Sequence, residues 1–313
     1  MKNKKAILIF NPGSGKKKSP ERALDFSNHW NNRFGSEIKL RATKSFSDIR
    51  ISSSENSDYD IMIFMGGDGT LSECLQGVCE KEKFKPLKNP VGFLPGGTGN
   101  SFLRDFGIST YEEGRDALLD AIQKNQSINV DLSIVSYLSE ENKKPLKRVC
   151  FNIFGLGVIP DAAETAIKMR FLGDLNYLVG VLKSAFTTKK LNTKANIDGK
   201  EEFLSCKALS INNSRYTGGA IEIAPAVRVN DGKLFLMIPE ETSPLAMLNL
   251  FPMIMKGKHL DHPKVRTEFI KEAQFIRDDS FLMNIDGELE KGFNPNIKIQ
   301  PDFWKLFMPK GRV

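Results

Sequence analysis

The stretch Asp60–Thr70 (Asp-Ile-Met-Ile-Phe-Met-Gly-Gly-Asp-Gly-Thr) decides the fold of the N-terminal half. Its apolar run, Ile61–Met65, predicts a buried strand, and the glycines that follow predict a loop at the strand's carboxyl end. Leu71–Cys79 predicts a helix directly after the loop. Backbone N–H groups at such a helix N-terminus can hold phosphate, and Asp68 can reach a metal ion or a reacting hydroxyl.

Strands and helices alternate on both sides of this stretch. Further strands are predicted at 5–10, 37–42 and 91–94, and a helix is predicted at 20–34. Strands that alternate with helices indicate βαβ units and a parallel sheet, whose ligands bind at the carboxyl ends of the strands. We predict an α/β domain with a parallel sheet over residues 1–128.

The pattern changes after residue 128. Asn129–Tyr137 alternates apolar and polar residues, which predicts a half-buried antiparallel strand, and Asp198-Gly199 is a hairpin-turn signal within 193–203. Residues 139–148 are expected to form an exposed hairpin loop. Short strands are predicted at 206–211, 233–238, 265–270, 281–285 and 296–300, and helices at 172–186 and 244–256. We predict an antiparallel, β-rich second domain over residues 129–299.

Composition narrows the class of protein. The chain has 313 residues, of which 40% are apolar and 27% charged, and it carries a net charge of +7. Such a surplus suits an anionic partner, which can be a nucleotide, a nucleic acid or an acidic membrane surface. The sequence contains no apolar stretch long enough to span a bilayer. Four cysteines without metal-ligand spacing are expected to be inert, reduced thiols of a cytoplasmic protein.

Three glycine-rich loops follow predicted strands. Loop 1 (residues 11–15, Asn-Pro-Gly-Ser-Gly), loop 2 (66–70, Gly-Gly-Asp-Gly-Thr) and loop 3 (94–100, Leu-Pro-Gly-Gly-Thr-Gly-Asn) are expected at one edge of the sheet. Loop 1 lacks the spacing of a P-loop, and Thr70 in loop 2 is expected to cap the next helix. Three such loops together predict a phosphate-binding crevice.

The loops resemble the diacylglycerol kinase catalytic domain family, which also includes sphingosine and ceramide kinases. Loops 2 and 3 are its most specific marks, and Asn152–Asp161, Gly218-Gly219 and Asp286-Gly287-Glu288 extend the similarity along the chain. The resemblance implies a Rossmann-like ATP-binding domain, a β-rich lipid-substrate domain and an active site in the cleft between them. It also leaves open that residues 300–313 return to the first domain.

The resemblance further implies roles for individual residues. The ATP-binding residues would be Asn11, Pro12, Gly13, Ser14, Gly15, Thr43, Gly66, Gly67, Asp68, Gly69, Thr70, Gly96, Gly97, Thr98, Gly99 and Asn100. Asp286 corresponds to the proposed catalytic base and Glu288 to a Mg²⁺ ligand. Acids two residues apart on a strand point to the same face, which would bring both to one site. Asp68 has two interpretations, catalytic base or part of the nucleotide and Mg²⁺ network, and we favour the second.

A second, structural cation site is implied by the bacterial members. It would use the Asp231 side chain and the carbonyl groups of Arg228 and Lys233. Ligation by oxygen alone suits Mg²⁺ or Ca²⁺. The competing interpretation of this segment is a plain Asn-Asp-Gly turn.

Several other signals are set aside. Asp105-Phe106-Gly107 spells a protein-kinase motif without that family's other marks, and we expect it to belong to the helix after loop 3. His259 and His262 are interpreted as a surface pair rather than zinc ligands. Lys16 is a candidate phosphate contact, whereas Lys17 and Lys18 are expected to face solvent or lipid.

The predicted function is a lipid kinase that uses ATP and Mg²⁺. Diacylglycerol is the favoured acceptor, and the stretches 171–186 and 245–255 are candidates for an acyl-chain site as well as for plain core helices. Such a cytoplasmic enzyme would dock peripherally on an anionic membrane. The alternatives are a sphingoid-base or other lipid kinase, then an NAD kinase, then a non-catalytic nucleotide- or nucleic-acid-binding module. We expect no nucleic-acid partner, because aromatic residues are not interleaved with the basic runs, and a homodimer stays open.

Overall fold

The computed structural model describes residues 4–97, 99–169, 176–240 and 243–311. The chain forms two compact units. Unit 1 comprises Met1–Leu132, Gly218–Ala220 and Pro301–Val313, and unit 2 comprises Ser133–Thr217 and Ile221–Gln300. The C-terminal segment therefore belongs to the same unit as the N-terminal strands.

The N-terminal part of the chain alternates strands and helices. In chain order the elements are β1 (Ala6–Phe10), α1 (Ser14–Lys17), α2 (Ser19–Phe34), β2 (Lys39–Ala42), α3 (Phe46–Glu55), β3 (Ile61–Gly66), α4 (Asp68–Lys81), β4 (Val91–Pro95), α5 (Ser101–Arg104), α6 (Tyr111–Gln123) and β5 (Ser127–Ser139). All residues of β1, β3 and β4 are buried, which agrees with their continuous apolar sequence.

The remainder is dominated by strands. Its elements are β6 (Pro145–Cys150), β7 (Ile153–Gly157), α7 (Val158–Lys168), α8 (Asn176–Thr187), β8 (Leu191–Ile197), β9 (Lys200–Cys206), β10 (Ala208–Asn212), β11 (Tyr216–Thr217), β12 (Ile221–Glu222), β13 (Leu234–Pro239), α9 (Pro244–Met255), β14 (Val265–Ile270), β15 (Glu272–Ile276), β16 (Phe281–Ile285) and β17 (Glu288–Phe307). His259–Asp261 forms a short 3₁₀ helix. Among the described residues, no helix is long and apolar enough to cross a bilayer.

The strand directions confirm the predicted fold class. In unit 1, β1 pairs in parallel with β2 and β3, and β4 pairs in parallel with β3 and with β17 at Leu306. In unit 2 the strands are antiparallel, in the order β14-β13-β10-β7-β16-β17. The Asp198-Gly199 hairpin between β8 and β9 is confirmed as well.

Several elements differ from the sequence prediction. Strand β17 has 20 residues, whereas the prediction gave a strand only at 296–300. The glycine-rich stretch that resembled a strand, Asn152–Asp161, is divided between β7 and the first turn of α7. Helix α6 was not predicted, although Thr110 and Glu113 form a capping box at its start. The exposed loop expected at 139–148 is shorter, because β6 begins at Pro145.

Each unit has its own apolar core. In unit 1, Phe26 and Trp30 of α2 pack with Leu8, Ile63 and Leu94 of the parallel strands. In unit 2 the core includes a stacked aromatic pair, Phe154 and Phe275, whose ring centroids are 6.2 Å apart. Because the two cores are built from different strands, each unit buries its own apolar surface.

The C-terminal segment completes unit 1. Trp304 is buried and stacks on Phe102, with ring centroids 5.8 Å apart, and Leu87 N–H donates to Phe303 O at 2.8 Å. Phe102 lies in α5, directly after loop 3. The end of the chain therefore supports the helix that loop 3 leads into.

We expect Trp304→Ala to lower the free energy of unfolding by about 3–5 kcal/mol, because it removes a large buried side chain. Lys305→Ala, at an exposed neighbouring position, is the matched control and should change stability little. Chemical denaturation measures both. A loss below about 1 kcal/mol for Trp304→Ala would contradict tight packing of the C-terminal segment.

Candidate functional site

The three glycine-rich loops meet in unit 1, as the sequence predicted. Gly96 N–H donates to Gly66 O at 2.7 Å, and Asn11 N–H donates to Met65 O at 3.4 Å. Loops 2 and 3 approach so closely that an ideal Cβ at Gly97 would lie 2.5 Å from Gly67 Cα. Glycine is needed at this position because any side chain would collide with the backbone of loop 2.

Asp68 fixes loop 2 to the helix after loop 3. Its Oδ2 accepts from Ser101 N–H at 2.8 Å, and its Oδ1 accepts from Phe102 N–H at 3.2 Å. Ser101, which was not among the predicted site residues, in turn accepts a hydrogen bond at Oγ from Gly219 N–H at 2.8 Å. The Gly218-Gly219 motif is thus connected to loop 3 within unit 1. Asp68 therefore has a clear structural role, whatever it binds.

Loop 1 bends through left-handed backbone conformations. Gly15 has φ 61°, Lys16 has φ 57° and Lys17 has φ 67°. The bend is held at its start, where Gly13 N–H donates to Asn11 Oδ1 at 2.9 Å and Ser14 Oγ lies 2.7 Å from Ser19 Oγ. A turn of this kind exposes backbone N–H groups that suit an anion.

The polar residues of the loops have different positions. Thr43 is buried, and its hydroxyl has no hydrogen-bond partner among the described residues, which suits a ligand contact. Asn100 closes loop 3 by pairing its amide with Gly97 N–H and O, at 3.1 and 3.0 Å. Thr70 does not cap α4, because that helix begins at Asp68 with Gly67 as its N-cap. Thr98 lies outside the described residues.

In unit 2, Asp286 is buried at the turn between β16 and β17. Its Oδ1 accepts from Asn152 and Ile153 N–H at 2.9 and 3.0 Å, and its Oδ2 accepts from Phe151 N–H at 3.0 Å. The Cys150 thiol lies 3.6 Å from Oδ1. Burial raises the pKa of Asp286 to about 6, while the three N–H donors act in the opposite direction.

The Asp286–Glu288 geometry differs from the prediction. Asp286 and Gly287 are not strand residues but the two central residues of a hairpin turn, with φ 53° and 97°. Glu288 is the first residue of β17 and is half-buried. The argument that both acids point to one face of a strand is therefore wrong, and their predicted roles rest on the family resemblance.

No cluster of three or more His, Cys, Asp or Glu side chains suited to a metal occurs in the described part of the chain. Mg²⁺ is commonly held by one or two carboxylates together with phosphates and water, a chemistry that the carboxylate of Asp68 in unit 1 and that of Glu288 in unit 2 each offer. Asp231 accepts at Oδ1 from Lys233 N–H at 2.9 Å, which is the geometry of a turn. The cation site at Arg228, Asp231 and Lys233 stays a prediction.

Some residues that we set aside differ from their predicted surroundings. His259 is not a surface residue: it is buried, and its Nε2 lies 2.8 Å from Ile223 O. Asp105-Phe106-Gly107 forms the turn after α5 rather than part of a helix. The four cysteines are free and buried, and the contact of Cys150 with Asp286 was not predicted because no motif marks it.

Comparison with known proteins defines the class as a kinase. Residues 5–135 match the diacylglycerol kinase catalytic domain, and residues 153–308 match the YegS C-terminal NAD kinase beta sandwich-like domain. Residues 5–135 therefore belong to the diacylglycerol kinase catalytic domain family, which supports a kinase that uses ATP.

Curated relatives and solved structures agree with this family. The chain is 27% identical to a diacylglycerol kinase of Staphylococcus carnosus (strain TM300), covering 98% of this chain and 96% of that protein. It is 26% identical to a diacylglycerol kinase of Staphylococcus aureus (strain MRSA252), covering 91% and 86%.

Structural likeness extends to a diacylglycerol kinase of Bacillus anthracis str. Sterne, with TM-score 0.72, 19% identity and coverage of 99% and 98%. It also extends to yeast NADH kinase complexed with NADH, with TM-score 0.56, 11% identity and coverage of 97% and 83%. At these identities the likeness shows the fold alone.

We expect Gly97→Ala to destabilise unit 1 by about 1–3 kcal/mol and to lower nucleotide affinity, because the new Cβ forces loops 2 and 3 apart. Gly13→Ala is the control in loop 1, where the Cβ would meet its nearest atom, Asn11 Oδ1, at an ordinary 3.4 Å. Thermal unfolding and nucleotide titration measure both variants. Equal behaviour of the two would show that the close approach of the loops has no importance.

Proposed function

We propose that this protein is a lipid kinase that transfers the γ-phosphoryl group of ATP to the hydroxyl of diacylglycerol, giving ADP and phosphatidate. The family supports the kinase chemistry. The observation that carries the lipid acceptor is a largely apolar cavity in unit 2.

ATP would be held by unit 1. Loops 1, 2 and 3 offer backbone N–H groups at one edge of the parallel sheet. Thr43, which follows β2, adds a hydroxyl that has no hydrogen-bond partner among the described residues. Mg²⁺ would neutralise charge on the phosphates, as in other phosphoryl transfers. Asp68, already fixed by two N–H donors, is the candidate ligand in this unit.

Asp286 is the proposed proton acceptor. The acceptor hydroxyl oxygen forms a bond to the γ-phosphorus, the bond from that phosphorus to the ADP oxygen breaks, and the hydroxyl proton passes to Asp286. Oδ1 already accepts two N–H bonds, whereas Oδ2 accepts one, so Oδ2 has more lone-pair capacity for the proton. Burial, which raises the pKa of this carboxyl to about 6, makes it a stronger base than an exposed aspartate.

The cavity suits an acyl chain. It is bounded by α7 (Ala162), α8 (Val181), α9 (Leu250) and strands of unit 2, and its lining is apolar apart from the hydroxyls of Ser210 and Thr217. Lipid binding to such a cavity would bury apolar surface, which provides affinity without directional contacts. The sequence analysis named 171–186 and 245–255, which include α8 and α9, as candidate lipid-binding segments. Residues 170–175 lie outside the described part of the chain.

Peripheral membrane docking is part of the proposal. The helices around the cavity carry exposed apolar side chains, including Ile167 on α7, Phe186 on α8 and Leu245 on α9. Exposed lysines such as Lys183 and Lys256 lie on or beside the same helices. Apolar side chains combined with cations suit the surface of an anionic bilayer.

A transfer assay tests the function. Labelled ATP is supplied with vesicles that contain diacylglycerol, sphingosine or ceramide, and with NAD in solution. We expect label on diacylglycerol, and faster transfer when the vesicles include an anionic phospholipid. Label on NAD alone, or on no acceptor, would exclude the lipid-kinase proposal.

We expect Asp286→Asn to lower the transfer rate by about 10²–10⁴-fold while ATP affinity persists, because the amide cannot accept the proton. In the Asn variant an NH₂ group replaces one carboxylate oxygen and can face the Phe151 N–H, which would place two donors together. Because this can destabilise the fold, thermal unfolding is measured in parallel. Asp278→Asn, at an exposed acid before the same strand, is the control. A folded Asp286→Asn protein with the wild-type rate would show that the base is another residue.

We expect Val181→Phe to lower kcat/KM about tenfold for long-chain diacylglycerol and much less for a short-chain one, since the added ring occupies cavity volume. Leu182→Phe, next to it on the exposed side of α8, is the matched control. Chain-length profiles of the two variants provide the measurement. Identical profiles would indicate that the acyl chain binds elsewhere.

A further inference from the structure

A further concave site, open to solvent, lies in unit 1 between the start of α2 and the start of α6. Arg22 and Tyr111 are among the residues that line it. No motif in the sequence marks either residue.

Arg22 lies directly beside loops 1 and 3. An ideal Cβ at Gly15 would be 3.3 Å from Arg22 Nη1, and the same point would be 2.3 Å from Gly96 O. The guanidinium therefore borders the glycine at the bend of loop 1, where that loop touches the backbone of loop 3. Since Gly15 has no side chain, none separates the guanidinium from the backbone at this bend.

Arg22 has no carboxylate partner among the residues that the structure describes. The nearby Asp25 is engaged instead by the Tyr111 hydroxyl at 2.8 Å and by Arg115 Nη1 at 3.1 Å. Glu21 and Glu112 also line the cavity, but both are exposed and neither forms an ion pair with Arg22. A half-buried guanidinium without an anion is poised to bind one.

The position of Arg22 is fixed by Tyr111. The guanidinium lies against the tyrosine ring, with Cζ 5.1 Å from the ring centroid. The Tyr111 hydroxyl also donates to the backbone carbonyl of Arg22 at 2.7 Å. The residue is thus held at both its backbone and its charged end, so little side-chain freedom is lost when it binds a ligand.

We propose that Arg22 is a phosphate-binding residue of the nucleotide site and that it contacts the β- or γ-phosphate of ATP. A guanidinium presents several N–H donors in a planar fork that matches phosphate oxygens. The proposal rests on the ATP-dependent function proposed above, and it adds a residue that distinguishes nucleoside triphosphates from monophosphates.

Nucleotide titration of the full-length protein tests the assignment. We expect Arg22→Gln to weaken ATP binding about tenfold or more, by loss of a charge-assisted contact. Binding of AMP and adenosine should change less than about twofold, because neither carries the phosphates concerned. Arg22→Lys keeps the charge without the fork, and should fall between the wild type and Arg22→Gln.

Arg115→Gln is the matched control. Arg115 lines the same cavity and also lies near the Tyr111 ring, with Cζ 5.9 Å from the ring centroid. Unlike Arg22, it already forms ion pairs, with Asp25 and Asp116. We expect its ATP affinity to equal that of the wild type. Equal ATP affinity of Arg22→Gln and the wild type would overturn the proposal, as would an equal loss for ATP, AMP and adenosine.

The lipid-transfer assay on the wild type separates this proposal from the proposed function. ATP binding that depends on Arg22, together with no phosphate transfer to any lipid, would leave the Arg22 assignment standing and remove the lipid acceptor. Lipid phosphorylation together with an ATP affinity that does not depend on Arg22 would support the lipid acceptor and overturn the Arg22 assignment. A wild-type protein that binds no ATP would overturn both.

Discussion

The carboxylate of Asp68 is the contact on which the glycine-rich loops of unit 1 depend. It connects the N-terminus of α4 to the N-terminus of α5 through hydrogen bonds to Ser101 and Phe102 N–H. With those helices tied together, loops 2 and 3 can approach backbone to backbone, and loop 1 is held by the bond from Asn11 N–H to Met65 O. A half-buried carboxylate that receives backbone N–H groups at helix N-termini is stabilised by both the hydrogen bonds and the helix dipoles. The glycines are a consequence of this clamp, since no larger residue fits between the loops.

Unit 2 also contains an aspartate carboxylate that accepts hydrogen bonds from backbone N–H groups, but its environment is different. Asp286 receives three backbone N–H bonds from the segment Phe151–Ile153, but it is fully enclosed, and burial outweighs the hydrogen bonds in setting its pKa. Each acid therefore organises a turn of its own unit. The difference lies in desolvation, which keeps the Asp286 carboxyl more basic than an exposed aspartate and makes it the better candidate for accepting a proton.

The sequence predicted the elements whose signals are local. Continuous apolar runs marked β1, β3 and β4, and Asp198-Gly199 marked the hairpin of β8 and β9. The failures depend on tertiary contacts. Strand β17 contains Pro295 and Pro301, which interrupt a strand pattern in sequence but are tolerated where the ladder does not need their N–H. His259 looked like a surface residue because the buried carbonyl that it meets, Ile223 O, is 36 positions away. The loops of the site were predictable from glycine spacing, whereas Ser101, Cys150 and Arg22 were not, since their partners are distant in sequence.

Arg22 shows why a motif alone describes such a site incompletely. The run Lys16-Lys17-Lys18 attracts attention in the sequence, yet all three lysines are exposed, and Lys16 and Lys17 lie on a left-handed bend. Arg22 is one turn further along the chain, in α2. There the ring of Tyr111 from α6 lies beside the guanidinium, and the Tyr111 hydroxyl donates to the Arg22 backbone carbonyl. Tyr111 is itself positioned by the capping box at Thr110 and Glu113, a feature of the fold rather than of the loops. A cation that the core holds in place loses less entropy on binding phosphate than a flexible lysine does, so fewer such residues are needed to hold a polyphosphate. For the proposed phosphate contact, the net positive charge of the chain therefore matters less than the position in which the fold holds the Arg22 guanidinium.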